Sequence, residues 1–142
     1  TAIPYGKPEP VFGTPMDFTV AHAIGERIDD DFQQLIFGNG YDHNYIINKE
    51  DEDDYVFAGV CESPKTGIKM EIFTSQPGIQ LYTGNWMTGN FVGKNGQRYP
   101  KRSAVCFETQ HYPDSIHHPE YPSVVLRPGT IFRSRTMYKF LV

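Results

Sequence analysis

Glu108 is the residue whose setting most plainly suits chemistry. The run Ala104 to Phe107 is apolar and reads as a buried strand entering from the core. It delivers Glu108 and then gives way to a loop dense in Pro, His and Tyr, which cannot continue a sheet ladder. A carboxylate at that junction suits a general base. The strand fixes its place, and partial burial would raise its pKa toward working pH. Taken alone, the same pattern also describes an ordinary carboxylate at the end of a strand.

Other residues invite chemistry with less support. Asp42 follows Gly40 at the start of an apolar strand, where an Asx-type turn bond would account for it. Gln76 precedes Pro77, which holds the backbone extended, and a solvated loop glutamine is the competing reading. His111, Asp114, His117, His118 and Glu120 crowd together, but Pro113 and Pro119 oppose a helix and no zinc-ligand spacing is present. They read as structural, as does His43, a packed and hydrogen-bonded histidine. The acidic run Lys49 to Asp54 lacks the alternating ligands, central Gly and distal Glu of a calcium loop, so it reads as solvated. Tyr82 and Trp86 could offer an aromatic face to a ligand, with core packing as the favoured use. Cys61 and Cys106 fall in predicted strands and read as buried free thiols, outside any disulfide or metal framework.

The elements that must position these residues are short strands. The chain has 142 residues, room for one domain or a large piece of one. Its 9 Tyr and 10 Phe make it aromatic-rich, and its 13 Gly and 11 Pro predict many turns, which favours short strands over long helices. With 13 basic against 17 acidic residues the formal charge is −4, which argues against nucleic acid as a partner. No apolar run approaches the ~20 residues that a membrane-spanning helix needs. Cell location stays open.

In order, Thr1 to Pro15 reads as an extended surface connector. Ile24 to Phe37 is the one helical stretch, capped by Asp29 or Asp30 and closed by Gly38–Gly40. Strands are expected over Tyr41–Asn48, Tyr55–Ser63, Ile68–Thr74 and Ile79–Tyr82, with a hairpin turn at Pro64–Gly67. In the third of these, Ile68, Met70 and Ile72 alternate with Lys69 and Glu71, giving one buried and one wet face. Thr83–Tyr99 is a long loop that Trp86, Met87 and Phe91 would pack down. Ser123–Leu126 and Thr130–Val142 close the pattern. The result is about six to eight short strands with almost no helix, an all-β antiparallel sandwich.

Several segments in this order resemble the aldose 1-epimerase (galactose mutarotase) family. They are Ile3-Pro4, Val11 to Phe18, Ile24-Gly25, Gly40 to Tyr45, Thr74 to Asn85, Cys106 to Ser115, Pro119 to Ser123, Leu126 to Gly129 and Tyr138 to Phe140. Each is weak alone; in sequence they span nearly the whole chain. The resemblance implies a mutarotase-like β-supersandwich, with residues 1–142 as its C-terminal portion. It implies an isomerase that interconverts the anomers of a free monosaccharide with no metal or organic cofactor. Glu108 takes the role of general base, Asp42 binds sugar hydroxyls through its carboxylate, and Gln76 is a further hydroxyl partner. The family's acid is a histidine in an upstream Asn-His motif without counterpart here. A further sugar-binding histidine and an Asn-Arg pair are also upstream. The N-terminal part of the same protein, as a second segment or chain, is therefore the expected partner. A non-catalytic sugar-binding or regulatory domain of the same fold is the alternative. The hexose 6-phosphate epimerases are a third reading, for which Arg98, Arg102 and Arg127 do not obviously supply a phosphate site.

Overall fold

The computed structural model describes Ile3 and residues 6–142. Pro4 of the first matching segment, and with it part of the expected connector, lies outside the described residues. The remainder of the connector before Val11 is exposed and irregular.

The described residues form a 3-10 turn at Ile24–Glu26, helix α1 (Gln33–Gly38) and strands β1 (Asp42–Ile46), β2 (Val56–Glu62), β3 (Lys69–Thr74) and β4 (Gly78–Tyr82). A 3-10 turn at Lys94–Gly96, strand β5 (Cys106–Gln110), a 3-10 turn at Ser115–His117 and strand β6 (Thr136–Leu141) complete the order. The strands make two three-stranded sheets, in the orders β1-β4-β5 and β2-β3-β6. The class is all-β and mostly antiparallel, as the sequence predicts. Two compact units are distinguished: residues up to His43 with Leu81–Phe107, and Asn44–Gln80 with Glu108–Val142.

The core of the first unit gathers Met16, Ile28, Leu35, Tyr41 and Leu81. Tyr41 is fully buried. Its hydroxyl donates to the carbonyl of Pro15 at 2.9 Å, and Phe18 meets its ring edge-on at 5.2 Å. The single predicted helix is here broken in two. Gly25 carries a backbone-entropy cost in a helix and the side chains of Asp29–Asp31 favour turns, so only a turn and a six-residue helix form. Neither aspartate caps it: Phe32 occupies that position without a side-chain bond. Asp29 instead receives both guanidinium nitrogens of Arg102, at 2.6 and 2.7 Å. Asn39, in a left-handed conformation, ends α1 as the expected stop, and the Gly40 N–H donates to Leu35.

The second unit is built on β3. The β2–β3 hairpin turns at Pro64–Gly67, where the Gly67 N–H donates to the Ser63 carbonyl at 2.8 Å. A bulge between Phe57 and Gly59 then shifts the register. β6 runs antiparallel along the whole of β3, from Lys69 opposite Leu141 to Thr74 opposite Thr136. This pairing explains why the last strand is Thr136–Leu141 and not Thr130–Val142: β3 offers partners for no more. Ile72 and Thr74 bury one face while Lys139 reaches Glu71 on the other, as the alternation predicts; Ile68 lies outside β3 and is exposed.

Four further expectations are overturned. Ser123–Leu126 forms no strand, because Pro122 and Pro128 withhold ladder donors on either side. Trp86 and Phe91 are exposed and do not pack down the loop at 83–99. That loop is tied by hydrogen bonds instead: Met87 and Arg102 N–H groups to the Gly84 carbonyl, Gly93 to Gln97, and Arg98 to the carbonyls of Gly89 and Asn90. The run Ala104 to Cys106 is exposed, since β5 stands at the end of its sheet and is covered from one flank. Cys106 is thus an exposed thiol, while Cys61 is half-buried; both are free.

Candidate functional site

Asp42 opens β1, and the residues before it are held with little freedom. Asn85, 2% exposed, donates through Nδ2 to the carbonyls of Gly38 and Tyr41, both at 2.8 Å. Its Oδ1 accepts from the Thr83 hydroxyl at 2.6 Å. Thr83 also donates its N–H to the Tyr41 carbonyl at 3.1 Å, and its hydroxyl oxygen lies 3.1 Å from the same carbonyl. Gly40 sits at φ 130°, and a Cβ there would lie 2.4 Å from Asn85 Oδ1, so only glycine fits. The strand therefore starts from a fixed point.

His43 continues that control. Its Nδ1 accepts the Asp42 N–H at 2.9 Å, which requires the neutral ring protonated on Nε2. Burial lowers its pKa below the ordinary 6.5, opposed by the Asp42 charge and by its bond to the backbone of Gln34. The ring also closes against Gly38, where an added Cβ would stand 3.2 Å from Cε1. This matches the packed, hydrogen-bonded histidine read from the sequence.

Gln76 is not a solvated loop residue: it is 8% exposed. Its N–H donates to Thr74 Oγ1 at 3.0 Å, and its Nε2 donates to Ser134 Oγ at 2.6 Å. Among the described residues its Oε1 is buried with no partner. An unmatched buried acceptor costs roughly 1–3 kcal/mol, so this oxygen is where a ligand donor is most favoured. Ser134 is held in turn by its neighbour, because the Arg135 N–H donates to Ser75 Oγ at 3.0 Å and its carbonyl accepts from the Ser75 N–H at 2.9 Å.

Glu108 lies in the middle of β5 and is exposed, without the partial burial the sequence suggested. Among the described residues its carboxylate makes no hydrogen bond or ion pair. On one side Phe107 is half-buried; on the other Thr109 Oγ1 lies 2.6 Å from Thr136 Oγ1. Gln76 and Glu108 belong to one compact unit and are connected through side-chain hydroxyls, while Asp42 belongs to the other.

The histidines after Glu108 are occupied within their own loop. His117 Nδ1 meets Asp114 at 2.5 Å, His118 Nδ1 meets Glu120 at 3.0 Å, and the His118 ring stacks on Tyr121 at 4.7 Å. Among the described residues no group of His, Cys, Asp and Glu is arranged to hold a metal, and no helix is long and apolar enough to cross a membrane. An open cleft of about 320 Å³ is lined by Gly13, Thr14, Pro15, Asp17, Arg27 and Asp30 and contains none of the three candidates.

Thr74, Thr83, Asn85, Thr109, Ser134 and Thr136 carry these contacts, and sequence reasoning missed them all. The one available signal was the period-2 placement of Thr74 with Gln76 and of Ser134 with Thr136.

A family model described as Aldose 1-epimerase matches residues 1–139. Galactose mutarotase from Homo sapiens is 39% identical over 142 residues, covering 100% of this chain and 40% of its own length. Aldose 1-epimerase from Escherichia coli K12 is 31% identical, over 98% of this chain and 40% of its own. The solved GalM/aldose epimerase homologue from C. elegans superposes with a TM-score of 0.83 at 27% identity, over 98% of this chain and 40% of that one. The chain thus spans about 40% of the length of these relatives.

Proposed function

Because this chain belongs to the aldose 1-epimerase family, we propose that its protein interconverts the α and β anomers of free aldoses of the glucose or galactose type. Glu108 takes the proton from the C1 hydroxyl as the C1–ring oxygen bond breaks, and an acid delivers a proton to the ring oxygen. Rotation about C1–C2 presents the other face of the aldehyde. On closure the ring hydroxyl returns its proton to the acid and Glu108 returns its own to O1, so both groups are reset.

Asp42 accepts from sugar hydroxyls through its carboxylate, an acceptor group when ionised. Gln76 offers Oε1 as a further acceptor. We assign the acid to a histidine outside residues 1–142, which cover 40% of the relatives' length. What carries this reading is the family match over residues 1–139, which takes in Asp42, Gln76 and Glu108 together.

Polarimetry on freshly dissolved α-glucose and α-galactose tests it, using the full natural protein. Acceleration is expected, and Glu108→Gln should lower it by roughly 10²–10⁴-fold, the usual worth of one positioned acid–base group. Unchanged activity in the variant would remove Glu108 from the mechanism. Sugar binding without any acceleration by the wild type would make the protein a sugar binder of the same fold.

A further inference from the structure

We propose that the hydroxyls of Thr74, Thr109, Ser134 and Thr136 form a positioning frame that holds Gln76 and Glu108 as one piece; this rests on the sugar-epimerising reading of those two residues. The contacts run without a gap. Gln76 N–H donates to Thr74 Oγ1 at 3.0 Å, Thr74 Oγ1 lies 3.1 Å from Thr136 Oγ1, and Thr136 Oγ1 lies 2.6 Å from Thr109 Oγ1. Thr109 is the residue next to Glu108. The path therefore passes from the loop bearing Gln76 through β3 and β6 to β5.

Donor directions follow from the inventory of groups. Each hydroxyl has one proton and two lone pairs. Thr74 Oγ1 also lies 3.3 Å from the Arg135 carbonyl, which can only accept. If Thr109 donates to Thr136, Thr136 to Thr74, and Thr74 to Arg135, every proton in the chain is used. Thr74 Oγ1 then accepts from both Thr136 and the Gln76 N–H. Thr74 and Thr136 are also directly opposed in the β3–β6 register, so the pairing is part of the ladder.

The placement of Thr109 has a specific consequence for its neighbour. Successive side chains of a strand point to opposite faces. Thr109 thus anchors β5 from the face opposite Glu108, fixing the backbone that carries the carboxylate while leaving the carboxylate open to a substrate proton. Ser134 performs the matching task for Gln76. By accepting from Nε2 it turns the amide so that Oε1, buried and unmatched, is presented as the acceptor.

The test compares kcat and KM for an α-aldose in the full natural protein and in Thr109→Val, Thr136→Val, Thr109→Ser, Ser134→Ala and Glu108→Gln. Val keeps the shape and strand preference of Thr and deletes only the hydroxyl. Thr109→Val and Thr136→Val should lower kcat roughly 10- to 100-fold through a displaced base, with KM little changed. Thr109→Ser, which retains the hydroxyl, should restore most of that loss. Ser134 is exposed, so its change leaves folding intact; Ser134→Ala should raise KM about tenfold and spare kcat. Wild-type kcat in Thr109→Val, Ser no better than Val at 109, or an unchanged KM in Ser134→Ala overturns the frame. Should the Val variants fail to fold, the KM of Ser134→Ala decides. An inactive wild type overturns both this inference and the epimerase reading. An active wild type, a dead Glu108→Gln and a normal Thr109→Val remove the frame only.

Discussion

Replacing Asn85 by Asp alters one terminal group, yet it should destabilise the protein more than truncating the side chain to Ala. Asn85 donates to two carbonyls at 2.8 Å and accepts from Thr83 at 2.6 Å, all inside a site 2% exposed. In Asn85→Ala three bonds disappear, each worth a net ~0.5–1.5 kcal/mol. The Tyr41 carbonyl keeps Thr83 as a donor, whereas Gly38 loses the donor that Asn85 supplied. The expected loss is about 2–4 kcal/mol. In Asn85→Asp an oxygen stands where Nδ2 stood, facing two carbonyl oxygens, and ionisation would bury an unpaired charge. The loss should exceed that of Ala by at least ~1 kcal/mol at neutral pH.

The difference also carries a pH signature. Burial and the two carbonyls raise the new carboxyl's folded pKa above its unfolded value of about 3.9. Between those two values the folded state holds more protons than the unfolded state, so stability falls as pH rises through the window. The deficit of Asp relative to Ala should therefore shrink as pH is lowered from 7.5 toward the unfolded value, because the protonated acid can donate to one carbonyl. Urea unfolding of both variants in the full natural protein, at several pH values, measures it. Asp equal to or milder than Ala at pH 7.5, or a gap indifferent to pH, would refute the reasoning. The same geometry predicts coupling with Gly40: Gly40→Ala and Asn85→Ala together should lose less than the sum of the two, since the contact at 2.4 Å goes while the backbone strain at φ 130° stays.

Gln76→Met should leave stability within ~1 kcal/mol in the absence of sugar, because removing an unmatched buried acceptor offsets the lost bond to Ser134; KM should nonetheless rise at least about tenfold, and an unchanged KM would exclude Gln76 as a sugar contact. The His43 ring should titrate below 6.5 by NMR. With its folded pKa depressed, the unfolded state takes the proton first, so the stability His43 confers is complete above 6.5 and is lost as pH falls toward the folded value; a midpoint at or above 6.5 would contradict the neutral, Asp42-bonded ring. Phe91, Ile131, Phe132 and Phe140 are all more than half exposed, so residues 1–142 expressed alone should bind a hydrophobic dye strongly. Weak binding would speak against solvent-exposed apolar surface at these residues.

The strands were legible where a two-residue period or a turn signal marked them. Ile72 alternates with charged neighbours, Pro64–Gly67 closes the hairpin, and both lie where the pattern put them. Limits set by distant partners were not legible. The start of β6 depends on where β3 ends, some sixty residues earlier in the chain, and nothing in Thr130 to Arg135 announces that β3 pairs with no further residues in its ladder. Burial failed for the same reason. Ala104 to Cys106 and Trp86 have core-like side chains, but hydropathy reports what a residue prefers and the cover a neighbour provides must come from elsewhere.

The candidate site divides along that line. Glu108, Asp42 and Gln76 could be singled out because a carboxylate or amide beside a glycine turn, a proline or a strand end has a local signature. The groups that aim them have none. A threonine in a strand is common, and its hydroxyl becomes informative only when another strand brings a partner within 3 Å, as Thr136 does for Thr109. Asn85 reads as a loop polar residue until Gly38 and Tyr41 are folded against it. Gln76 shows what the fold adds to such a residue. Its type suggested an acceptor, and only the fold shows Nε2 committed to Ser134 while Oε1 is buried and unmatched. A surface glutamine would satisfy that oxygen with water at no cost. A buried one sustains the penalty continuously, and a site shaped to receive a hydroxyl donor gives that arrangement a physical reason.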